Sequence, residues 1–295
     1  MSTAALVLHA VEGSLALMVL GVGLQSTSRD ATYLLRHRSL LARSILSMSV
    51  LMPLLALALA WSFSLHPVVA LTLVALTLSP IPPFLPSRVM RAGGDGSYMI
   101  GLFVAASLAA IIVVPLSVTL IGLVRDVPLG IRPAAVATLV GRSVLIPLAI
   151  GIGVHHLAPS IAARAAKPIA LVATVVLIAA FVPLLGAAWP AMRSLIGNGT
   201  LTAIVVIALA GLGIGHLLGG PEREDRTVLA LATAMRHPAV AIAILTTNFP
   251  DEKLVKATVI LALITAALAT MPYTLWSKRR NRVTVERHLP VRTVA

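Results

Sequence analysis

The sequence predicts an all-α polytopic membrane protein of nine transmembrane helices, arranged as an inverted repeat around two broken helices. Three observations carry this. Apolar residues make up 58% of the chain and charged ones 11%, against about a quarter charged in an ordinary soluble domain; mean hydropathy is +0.99. Apolar stretches of span length recur from end to end. Two of them are interrupted at places where a straight helix cannot continue.

The spans fall at about 3–25, 44–65, 67–90, 97–123, 133–156, 167–189, 200–219, 227–249 and 255–276. The first lacks a basic leader and a small-residue cleavage site, so it reads as a retained span rather than a signal peptide. The second contains Ser49-Val50-Leu51-Met52-Pro53. The third holds Pro80, Pro82, Pro83 and Pro86, followed at once by Ser87-Arg88. Each proline removes a backbone N–H and clashes with the preceding turn. Unpaired backbone at membrane depth is tolerated only inside protein or beside a polar cavity. This break is therefore a candidate site for a solute or ion. The fourth span follows the polar turn Ala92-Gly93-Gly94-Asp95. The fifth carries Arg142 and Ser143-Val144-Leu145-Ile146-Pro147, similar to the segment ending at Pro53. The eighth is interrupted at Arg236-His237-Pro238, with apolar helix on both sides. The ninth ends near Trp276, leaving one transmembrane unit over 1–276 and a basic tail over 277–295.

The formal charge is +13, yet its placement argues for topology rather than nucleic acid. Alternate loops and the tail put Arg29, Arg36, Arg38, Arg43, Arg91, Arg164, Lys167, Arg223, Arg226 and six tail residues on one side. Arg125, Arg132, Arg193, Lys253 and Lys256 lie on the other. The positive-inside rule then predicts a multi-pass protein of the cell (inner) membrane, N-terminus outside and C-terminus in the cytoplasm. The Lys278-Arg279-Arg280 run could also touch anionic lipid, but reads first as a topology anchor. There is no cysteine, which excludes disulfides and thiolate metal sites. No phosphate loop, zinc-protease helix or serine elbow is present. No enzyme, cofactor, metal or obligate protein partner is expected.

By the alternation of loops, the spans at 67–90 and 227–249 run in opposite directions. Two interrupted helices of opposite sense suggest an inverted-topology repeat. Pairing outward from the breaks matches the first four spans with the last four and leaves 133–156 unpartnered, as if one N-terminal helix were missing. The Pro53 and Pro147 segments do not correspond in that pairing, so their likeness carries no weight in it.

Residues Gly21-Val22-Gly23-Leu24, Val50-Leu51-Met52-Pro53, the proline-rich break ending in Ser87, and Gly94-Asp95 occur in an order that resembles the bile acid:sodium symporter family. The resemblance covers nearly the whole chain. It implies a ten-helix inverted repeat, or a nine-helix form lacking the first helix. It also implies a panel domain, and a core domain in which two broken helices cross. Members move organic anions, commonly with sodium. The sequence departs from the family where sodium would bind. The family's Ser-Asn is Ser87-Arg88 here, and its acidic residue with an amide four positions on is Ala232 with Arg236. Its glutamine on the second span aligns with Met48, and its next-helix hydroxyls with Met99 and Phe103.

Three arginines lie within spans: Arg88, Arg142 and Arg236. An ionisable residue at the bilayer centre costs about 2.5–3.5 kcal/mol on insertion scales, so these must face a cavity, carbonyls, a counter-charge or an anion. The carboxylate well inside a span is Glu12, one turn after His9; it reads as a coupling group or a counter-ion, with Arg142 as its possible partner. His237 is a group that titrates, contacts substrate or satisfies a carbonyl.

The function read from these residues is secondary transport of a small organic anion by alternating access. Ser87, Arg88, Arg236 and His237, with Pro86 and Pro238 shaping the backbone, would line the site. Arg88 and Arg236 would replace the sodium ions, making transport sodium-independent. The alternatives are a sodium-coupled symporter, a membrane sensor that binds without transporting, and carriers of the arsenite or auxin type. The arsenite reading lacks its cysteine.

Overall fold

The computed structural model describes residues 3–125, 129–197, 199–250 and 252–288, and every regular element in it is helical. The end of the tail, beyond 288, and the side chains beyond Arg280 lie outside the described residues. In chain order, α1 spans Thr3–Gly23, followed by single turns at Ser28–Ala31 and Tyr33–Arg36. Next come α2 over Arg38–Ser62, α3 over Pro67–Leu78, α4 over Leu85–Arg91 and α5 over Gly96–Arg125. Helix α6 covers Pro133–Leu157, α7 Pro159–Leu195 and α8 Thr200–Leu218. The chain closes with α9 over Arg223–Ala234, α10 over Pro238–Asn248, α11 over Lys253–Ala269 and α12 over Met271–His288.

Among the described residues, seven helical stretches are long and apolar enough to cross a membrane, taking α9–α10 and α11–α12 each as one. His9–Gly23 and α3 are shorter apolar helices. The protein is thus an all-helical, multi-pass membrane protein.

Prolines set several boundaries, though not all act as the sequence suggests. Pro67, Pro133, Pro159 and Pro238 each sit in the first turn of a helix, where the missing N–H is an orphan anyway. Helix α7, expected over 167–189, runs from Pro159 to Leu195 and holds Pro168, Pro183 and Pro190 inside it. The last span, expected to be continuous, restarts at Met271-Pro272 after Thr270 caps α11. Helix α12 then runs past Trp276 to His288 with no boundary at 277.

The likeness between the Pro53 and Pro147 segments has a structural counterpart. Leu46–Leu51 in α2 and Gly141–Leu145 in α6 are both π-helical turns, each running directly into the segment that holds the proline. In the first, the Met52 N–H reaches back five residues to the Ser47 carbonyl. The next donor in that register would be residue 53, a proline without an N–H, so the Met48 carbonyl is released.

Helices α1, α6 and α7 pack mainly on one another, and meet the remaining helices chiefly where α6 touches α5 and α7 touches α11. Close packing holds each group together. A Cβ on Gly23 of α1 would lie 2.6 Å from the Leu148 carbonyl of α6, and one on Gly215 of α8 2.4 Å from the Leu229 carbonyl of α9. Only glycine permits these approaches.

One connector is tied down by a carboxylate. Asp30 accepts from the Thr27 N–H and hydroxyl, closing a capping box, and from Ser97 at the start of α5. Burial pushes its pKa up, but the hydrogen bonds from Ser97 and Thr27 and the charge of Arg36 outweigh this, leaving it below the ordinary 3.8. A depressed carboxylate contributes stability above its unfolded value and loses it as pH falls through the folded one. Asp30→Asn should therefore lower the melting temperature in detergent at neutral pH. The difference from wild type should close as the pH is taken below 3.8.

Candidate functional site

The two interruptions meet in space. After α3 the backbone turns extended at Ser79 and does not resume helix until Leu85. After α9 it is extended at Met235 and again at His237. The His237 N–H donates to the Pro80 carbonyl at 2.8 Å. Beside it, Arg236 Nη1 donates to the Ser79 carbonyl at 3.3 Å, and Nη2 to the Met48 carbonyl at 2.8 Å. Both carbonyls are free to accept: Pro53 cannot serve Met48, and at Ser79 the chain has left the helix and turned extended. A single guanidinium thus ties the π turn of α2 to both broken helices, using its fixed fork of donors.

Arg236 is 9% exposed, and His237 is fully buried. Among the described residues, the buried side-chain polar atoms without a hydrogen-bond partner are Arg236 Nε, both ring nitrogens of His237, and Ser107 Oγ on α5. An unpartnered buried polar group costs about 1–3 kcal/mol. Three of the four such atoms lie on two consecutive residues at this junction, an arrangement that calls for a ligand, water or an alternative conformation.

Arg236 also stands between two cavities. One, of about 50 Å³, is lined by Ser44, Met48, Ser49, Ser79 and small residues of α5; the other, of about 40 Å³, by Thr77, Ile207, Met235, Pro238 and Leu263. Each has room for no more than a few water-sized molecules, far below the 300–1,000 Å³ of an open ligand pocket. The junction is closed in this conformation.

Arg88 points elsewhere. Its Nη2 donates to the Ala267 carbonyl and the Thr270 hydroxyl at 3.1 and 2.8 Å, where α11 gives way to α12, and Nη1 lies 3.6 Å from Met235 Sδ. Arg88 is half-buried, as is Ser87, whose hydroxyl donates to the Phe84 carbonyl at 3.3 Å. Pro86 is buried in the first turn of α4, and Pro238 is half-buried at the start of α10. Four of the positions where the resemblance implies sodium oxygens hold buried apolar side chains: Met48, Met99, Phe103 and Ala232.

Glu12 and Arg142 lie on α1 and on the π turn of α6, which are in contact. Both side chains are exposed, and no hydrogen bond or ion pair joins them. Asp95, by contrast, has a plain structural role: it accepts from the Tyr98 N–H and caps α5.

Sequence reasoning placed Arg236, His237 and Pro238 at a break, but missed their acceptors. The Met48 and Ser79 carbonyls are backbone groups, invisible as residue types. Pro53 and the prolines that follow Ser79 were the available signals. Thr270 and Ser107 carried none beyond being hydroxyls within apolar helices.

A multi-pass membrane protein whose interrupted helices meet around unpaired polar groups has the anatomy of a membrane transporter. The model of the Sodium Bile acid symporter family matches residues 14–188, more than half of the chain, and the protein belongs to that family. No curated protein matches it significantly. The match contains the first break; the second lies beyond it.

Proposed function

We propose that this protein is an alternating-access transporter of an organic anion that works without sodium. It would use a nine-helix inverted repeat, in which α1, α6 and α7 form the panel and the broken helices belong to the core. The observation that carries the proposal is the junction's charge and valence. Arg236 is a buried cation satisfied by carbonyl oxygens, the ligand type a hard cation requires, and it keeps one donor free beside an unpartnered imidazole. Arg236 takes the place of one sodium ion. Arg88 takes the place of the other by holding the α11–α12 junction, and its exposed edge meets the anion.

His237 and the N-terminus of α10 supply further donors to a negative head group. Glu12 and Arg142 line the water-filled crevice between panel and core, since charge facing lipid at mid-span would cost several kcal/mol. They are not paired in this conformation, and each would act as a coupling group or counter-ion separately as that crevice opens and closes. The N-terminus lies outside the inner membrane and the tail in the cytoplasm.

The test is thermal stability of the purified chain with cholate, a sulfated steroid, a 2-keto acid and a 2-hydroxy acid. Each is measured in sodium and in choline buffer. At least one anion should raise the melting temperature equally in both buffers. Stabilisation by sodium alone, or by anion in sodium buffer alone, would refute the arginine assignment.

A further inference from the structure

At the far end of α10, one side chain is bonded to a peptide group from another part of the chain. Asn248, the last residue of α10, accepts from the Gly130 N–H at 2.9 Å and donates back to the Gly130 carbonyl at 3.0 Å. Its Nδ2 also donates to the Ile244 carbonyl at 2.6 Å, one turn back in the same helix. Gly130 lies in the segment 129–132 that leads into α6. Both partners are half-buried. Asn248 also closes a cavity of about 20 Å³, whose walls include Val74, Ala75 and Leu78 of α3, Val118 of α5, and Leu129. Leu78 is a wall of the larger cavity beside Arg236 as well, together with Ala109, Ala110 and Val113 of α5. The two cavities therefore follow one another along α3 and α5, from Arg236 at one end to Asn248 at the other.

We infer that the Asn248–Gly130 contact is the latch of a gate on this route, holding shut the end that the proposed orientation places outside. The inference rests on the alternating-access reading and adds to it a way in. Capping α10 does not need Gly130, because the bond to Ile244 already serves the helix end. Pairing with Gly130 uses a donor and an acceptor at once, which neither a carboxylate nor an apolar side chain can do. The contact joins a broken core helix to the entry of α6, one of the helices assigned to the panel, so rocking of panel against core bears directly on it. Both partners are close enough to the surface for water to replace the two bonds when they part, and the net cost of opening is then small. Such a latch favours the closed conformation without locking it.

The chain has no cysteine, so single introduced cysteines report access directly. Ala75→Cys lies beneath the latch, and Ala110→Cys lines the cavity beside Arg236. Ala92→Cys, buried at the turn after α4 and away from this route, is the control. Each is placed in the full chain in detergent, without any anion, and its rate of reaction with a charged maleimide is measured with Asn248 intact and with Asn248→Ala. Asn248→Ala should speed labelling at Ala75→Cys and at Ala110→Cys by about tenfold or more, as the open form gains population. Labelling at Ala92→Cys should not change. An unchanged rate at Ala75→Cys or at Ala110→Cys would overturn the inference. So would an equal acceleration at Ala92→Cys, since Asn248 would then only hold the fold together. No anion enters this experiment, so failure of the latch and failure of the transport reading show in different measurements.

Discussion

If the junction binds the anion as proposed, Arg236→Met should greatly weaken that binding. The substitution keeps an unbranched apolar stem of similar reach but removes the charge and all five donors. Losing a buried, hydrogen-bonded charge costs about 2–5 kcal/mol in binding, so anion affinity should fall about 30-fold or more. The variant also leaves the Met48 and Ser79 carbonyls without their donor, and should lose about 1–3 kcal/mol of stability for each one that water does not reach. Arg236→Lys separates the two effects. It retains the charge and can serve one carbonyl, so binding should partly recover while the fork across both carbonyls is lost. Isothermal titration with the best anion of the stability screen measures this directly. Unchanged affinity in Arg236→Met would remove the residue from the site.

The second large effect is a gain. If Arg236 stands where a sodium ion would be, restoring oxygen ligands should create a need for the ion. The combined variant Met48→Gln, Arg88→Asn, Ala232→Glu and Arg236→Gln replaces two fixed cations by one carboxylate and three amides around the same carbonyls. It should be unstable in choline and stabilised by sodium. With a site of about 10 mM affinity and about 100 mM sodium, the stabilisation is about 1.4 kcal/mol. Wild type should show none. A melting temperature indifferent to sodium in a variant that still folds would mean that these positions do not form a cation site together.

Much of this was legible from residue types. Proline runs marked the breaks because the cost of a missing N–H does not depend on tertiary context. Mid-span arginines marked the junction because membrane depth makes unpaired charge costly. What stayed hidden depends on where backbone groups fall after folding. The Met48 carbonyl matters because a π turn shifts the register so that Pro53 fails to serve it. The α11–α12 restart at Thr270 went unseen because one threonine before Met271-Pro272 looks like ordinary span. Helix α7 outruns its expected span of 167–189 at both ends and takes in Pro190 as well as Pro168 and Pro183; in a membrane the carbonyls that prolines free can be served by side chains, waters or local adjustment. Nor can spacing show whether two charges on adjacent helices meet, as Glu12 and Arg142 do not.

The most direct test of the central claim is uptake into proteoliposomes of whichever anion stabilises the protein. Sodium is exchanged for choline on both sides, at matched pH and with the membrane potential clamped. The arginine account predicts equal initial rates in the two salts, and loss of both in Arg236→Met. A rate that collapses in choline and returns with sodium would contradict it, and would mean that oxygens other than those replaced here bind the ion.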